Sequence, residues 1–105
     1  MQKLRSIATI SNAAMPSDLK SYLVQKMKNI EKTYHCDMGD SLSVILLEKQ
    51  EKSYLLDKGL EFYEILSFSH ADWIHTVWAS SDGYSEDIYI PFSTEAQELV
   101  ERRCC

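Results

Sequence analysis

Hydrophobic positions recur with three different rhythms along this chain. Between residues 19 and 34, Leu19, Leu23, Met27, Ile30 and Tyr34 return at steps of three and four, which is one stripe of an amphipathic helix. Met15-Pro16-Ser17-Asp18 supplies its start, with proline tolerated in the first turn and an acid facing the positive end of the helix dipole. Gly39 offers the left-handed exit that ends many helices. Residues 41–48 carry Leu42, Val44, Ile45, Leu46 and Leu47, a continuous apolar run of strand length that suits burial on both faces. Residues 4–10 could form a further short strand, and residues 54–58 read equally as a helical turn or a strand.

From residue 62 onward the rhythm is two. Asp82-Gly83 predicts a two-residue hairpin turn, because both positions tolerate positive φ. That turn sets Trp78 opposite Asp87 and His75 opposite Ile90. A second reversal at His70-Ala71 sets Phe68 opposite Trp73, Leu66 opposite His75 and Tyr63 opposite Trp78. Opposed residues share a face. Phe62, Leu66, Phe68, Trp73, Val77, Ala79, Ile88, Ile90 and Phe92 therefore form an apolar face, interrupted by His75 and Glu64. The other face is mixed: Glu61, Tyr63, Ile65, Ser67, Ile74, Thr76, Trp78, Ser80, Ser85, Asp87 and Tyr89. Thr94 and Gln97 make a capping box for a terminal helix over 94–103, striped by Ala96, Leu99 and Val100. The expected architecture is one α+β domain over residues 1–105. It has an N-terminal helix, an antiparallel meander sheet of four to five strands and a short C-terminal helix, with the helices on the apolar face.

Composition agrees with a folded domain: hydrophobic residues are 45% and charged residues 26% of 105, with only three Gly and two Pro. No apolar run approaches the roughly 20 residues that span a bilayer. The basic N-terminus has no apolar segment behind it, so a secretory signal is not expected. Three cysteines, Cys36, Cys104 and Cys105, cannot make a framework of paired bridges, which points to a reducing, cytoplasmic setting. The net charge of −5 is unevenly spread. Residues 1–35 hold six lysines and arginines against Asp18 and Glu31, while the remainder holds five against fourteen acids. The sheet region should therefore repel nucleic-acid phosphates and attract basic proteins.

Catalytic chemistry is hard to find. The glycines stand alone, so no phosphate loop is expected. His35-Cys36 are sequence neighbours and seldom reach attack geometry. His70, Asp72 and His75 do not converge on the registers above, so neither metal nor cofactor is expected, and His75 reads as a core-edge histidine with a hydrogen-bond partner. Glu86 and Asp87 point to opposite faces of a strand and form no acid/base pair. Cys104-Cys105 does not match a prenylation signal and reads as a frayed end.

The mixed sheet face remains. Tyr63 and Trp78 are opposed there, Tyr89 lies diagonally across, and Ile65 and Ile74 flank them. Glu61 and Asp87 sit at the rim, with Glu86 near the edge. Tyrosine and tryptophan dominate interface hot spots, and acids around them suit a basic partner. The expected function is a small acidic non-enzymatic binding protein, an inhibitor, immunity or antitoxin type that neutralises a basic, nucleic-acid-acting protein. The expected site is Glu61, Tyr63, Ile74, Trp78, Glu86, Asp87 and Tyr89, with no direct nucleic-acid or membrane contact and no particular oligomeric state implied. The alternatives are a nucleic-acid-mimicking, phage-type regulator, and an enzyme or small-molecule binder with an unfamiliar site.

Overall fold

The computed structural model describes residues 1–34, 42–56, 58–69, 71–81 and 83–104. Strand β1 (Gln2–Leu4) leads into the short helix α1 (Ile7–Ser11) and the long helix α2 (Ser17–Tyr34). Strand β2 (Leu42–Leu46), a 3-10 helix (Lys49–Leu55), and strands β3 (Phe62–Phe68), β4 (Ala71–Ala79) and β5 (Ser85–Pro91) follow, and helix α3 (Thr94–Arg103) closes the chain. The strands form one sheet in the order β1-β2-β5-β4-β3. The expected meander is present as β3-β4-β5, all antiparallel. The sheet as a whole is mixed, because β2 lies parallel to β5.

Each element follows from local chemistry. The expected strand at residues 4–10 is a helix from Ile7 because the Ser6 side chain accepts from the Thr9 amide, while the Thr9 hydroxyl oxygen accepts from the Ser6 amide. Helix α2 begins where proline and Asp18 predicted, and Leu19, Leu23 and Met27 are fully buried. The expected helix exit around residues 35–39 lies outside the described residues, as does the His35-Cys36 pair. Helix α3 has the expected span, but its cap is Ser93, whose hydroxyl accepts from the Ala96 amide at 3.1 Å, one residue before Thr94. As far as Cys104 the chain is packed rather than frayed: the Leu60 amide donates to the Arg103 carbonyl at 2.9 Å, and Cys104 is half-buried; Cys105 lies outside the described residues.

The two hairpins decide the faces. The β3–β4 pairing puts Phe68 opposite Ala71 and Leu66 opposite Trp73, two residues away from the expected register. A shift of two preserves the faces. Ser69 takes φ 52°, so the reversal begins one residue earlier than expected. The β4–β5 pairing puts Trp78 opposite Glu86 and His75 opposite Tyr89, a shift of one. The Ser80 amide donates to the Tyr84 carbonyl at 2.8 Å, closing a loop of three residues rather than two, with Gly83 at φ 89°. One extra loop residue turns every β5 side chain to the other face.

The helices also separate. Helix α2 packs on the face that carries Leu4, Val44, Leu46, Tyr89, Leu66, Phe68 and Trp73. The 3-10 helix and α3 pack on the face that carries Ile45, Ile74, Ile88, Ile90, Tyr63 and Trp78. The sheet is thus the middle of three layers. The expectation that both helices cover the apolar face is corrected: α3 lies on the opposite one.

Candidate functional site

The seven residues expected to share one surface occupy three places. Asp87 and Tyr89 lie under α2, at 5% and 0% exposure, because the β5 shift turns them there. Ile74, Trp78, Glu86 and Tyr63 are on the α3 face, where Ile74 is fully buried. Glu61 is exposed just ahead of β3. Only Glu61 and Tyr63 keep a place beside exposed apolar surface.

Beneath α2 is a chain of ionisable side chains. The Lys26 ammonium donates to Asp87 Oδ2 at 2.7 Å. His75 Nε2 stands 3.7 Å from the same oxygen, and His75 Nδ1 is 3.0 Å from Glu64 Oε1. The His75 ring stacks on Tyr89 at 4.6 Å between centroids and 11° between planes. Burial acts to raise the Asp87 carboxyl, but the His75 imidazole and the Lys26 ammonium outweigh it and hold the group below the usual carboxylate range. Burial, reinforced by the Asp87 charge, pushes the Tyr89 hydroxyl above its ordinary value. His75 is the buried, hydrogen-bonded histidine that the sequence predicts.

A second cluster lies at the opposite face. Glu86 accepts from the Lys58 ammonium at 2.7 Å and from the Tyr54 hydroxyl at 3.0 Å, with the Lys3 ammonium 3.5 Å away. Lys58 also sits 4.6 Å from the Trp78 ring centroid and 4.9 Å from that of Tyr54. Burial opposes ionisation of Glu86, and the Lys58 and Tyr54 hydrogen bonds overcome it. Trp78 and Glu86 are therefore engaged inside the molecule, holding the segment after the 3-10 helix to the sheet.

The exposed apolar surface is elsewhere. Strand β3 ends the sheet, and among the described residues it pairs with β4 alone. Phe62 is 48% exposed and Ile65 42% exposed, on opposite faces of that strand. Carboxylates surround them. Glu61 precedes Phe62, and Glu64 lies between the two. Glu101 accepts from the Tyr63 hydroxyl at 3.0 Å, and Asp72 accepts from the Ser67 hydroxyl at 2.6 Å. That hydrogen bond to Glu101 raises the Tyr63 hydroxyl above its ordinary value. Among the described residues none of these four acids is ion-paired with a lysine or arginine, whereas Asp87, Glu86 and Glu95 are. Sequence reasoning places Phe62 on the apolar face, where it lies, but its position on the terminal strand leaves it half exposed. The signal for an edge is the composition of β3 itself, which carries only one acid, Glu64, and large side chains on both faces. Compared with protein-family models, with curated proteins and with solved structures, the chain matches none of them.

Proposed function

We propose that this protein is a small acidic binding protein, of the inhibitor or immunity type, that docks a basic protein through the β3 side of its sheet. The carrying observation is the strip itself: Phe62 and Ile65 exposed on the terminal strand, ringed by Glu61, Glu64, Asp72 and Glu101, none of them ion-paired with a lysine or arginine among the described residues. Apolar side chains give such a surface affinity, and uncompensated charge gives it encounter rate and choice of partner. Proteins whose own ligand is nucleic acid carry clustered lysine and arginine, so they are the class this strip suits. A nucleic-acid mimic is supported less well, because exposed Phe62 and Ile65 interrupt the acids.

The test is native pull-down with two baits, the wild-type chain and a Phe62→Ser, Ile65→Ser chain, followed by binding kinetics on the captured protein. One stoichiometric basic protein should be held by wild type and lost from the variant. Glu61→Gln should lower the association rate and flatten its salt dependence, while Phe62→Ser should mainly speed dissociation. Equal capture by both baits, or an acidic partner, overturns the proposal.

A further inference from the structure

The sheet has two ends, and they are built differently. Strand β1 has three residues and carries Lys3, with Arg5 just beyond it. Short length and cationic side chains are the usual protections of an edge against unwanted pairing. Strand β3 has seven residues, Phe-Tyr-Glu-Ile-Leu-Ser-Phe, with Glu64 its single charge. Its outer row of backbone N–H and C=O groups is unpaired among the described residues, a template for another strand. The template has fixed limits. Leu60 is bridged to Cys104 at one end, and Ser69 turns the chain away at the other.

A second copy of this chain suits that edge poorly. Pairing β3 with itself would bring Glu61 and Glu64 of two molecules, each of net charge −5, into one strip. A segment of opposite charge suits it well. Resting on the reading of the preceding section, we propose that the partner binds by strand addition: an extended segment of alternating basic and apolar residues pairs with Phe62–Phe68 as a sixth strand. On the α2 face its side chains would lie beside Phe62, Glu64 and Leu66. On the α3 face they would lie beside Tyr63 and Ile65, within reach of the Glu101 carboxylate. The main chain supplies affinity in this mode, and alternate side chains supply selection.

The probe is an eight-residue peptide alternating lysine and valine, blocked at both ends, with a second copy N-methylated at every residue. The two share side chains, but the copy cannot donate main-chain hydrogen bonds. Titration should show the first binding at least about tenfold more tightly than the second. On binding, alternate β3 amides, those not bonded to β4, should gain protection from hydrogen exchange. Ile65→Lys and Glu61→Gln, both at exposed positions outside the two buried charge clusters, should each weaken the complex while leaving the thermal transition in place. Equal binding by both peptides overturns strand addition yet leaves docking of a basic partner standing. Affinity that ignores both Glu61→Gln and added salt overturns the charge argument beneath both readings. No binding of either peptide up to about 1 mM overturns the inference as well.

Discussion

At the scale of single residues, Asp87 shows how an acid reaches the middle of a sheet. It is 5% exposed, and its oxygen answers Lys26 from α2 and faces His75 from β4. Removing one partner of such a contact leaves the other desolvated, so Asp87→Asn should lower stability by about 1–3 kcal/mol in urea melts at neutral pH. The pH dependence follows from the direction of the shift. The folded carboxyl is held below its unfolded value of about 3.9, so its contribution is fully present above that pH. It fades as pH falls through the lower, folded value. Wild type should therefore lose stability in acid more steeply than Asp87→Asn. Parallel acid limbs for the two would show that the Asp87 contact contributes nothing. His75, one face-neighbour away, was legible in the sequence as a buried and partnered histidine because its β3 and β4 neighbours kept their face. Asp87 was not, because its exposure depended on the length of one loop.

At the scale of elements, that loop is where reading the sequence succeeds and then fails. Glycine at residue 83 correctly marks a reversal, but its φ of 89° closes a three-residue loop and not a two-residue one. A Cβ at Gly83 would meet nothing within 4 Å, so any penalty there is conformational. Gly83→Ala should lower stability by about 1 kcal/mol, and Gly59→Ala, with no positive φ, should be neutral or slightly stabilising. Equal thermal midpoints would place the hairpin in another conformation. Alternation in β5 could not have corrected the count. Ile88, Tyr89 and Ile90 are all fully buried, since β5 is the central strand and is covered above and below. Its residues read as inside on either parity. The α2 stripe, the span of α3 and the burial of residues 43–47 were legible because each has one dominant environment. The same two-sided burial of β2 is the pattern that parallel pairing produces, but a buried antiparallel strand shows it too. The candidate site was legible only in Glu61 and Tyr63, whose place depends on β3 and not on the miscounted loop.

At the scale of the whole molecule, the helices stand on opposite sides because both faces of β5 and β2 are apolar, and α2 alone could cover only one of them. This layering packs Trp73 and Trp78 of β4 against the two cores and leaves Glu61, Asp72 and Glu101, around β3, exposed. No helix among the described residues is long and apolar enough to cross a membrane. The central position of β5 has a further consequence, for biosynthesis. The strand that occupies the middle of the sheet is the last one to be made, between its parallel neighbour β2 and its antiparallel neighbour β4. Until residue 91 has left the ribosome, no strand links the β1–β2 pair to the β3–β4 hairpin, and two-stranded pieces are marginal in water. A chain ended at residue 84 should show no cooperative thermal transition by near-ultraviolet circular dichroism, and a sharp melt from it would contradict this order. Nascent copies of this protein would then pass through synthesis with two unfinished, apolar sheet fragments, the kind of intermediate that chaperones hold.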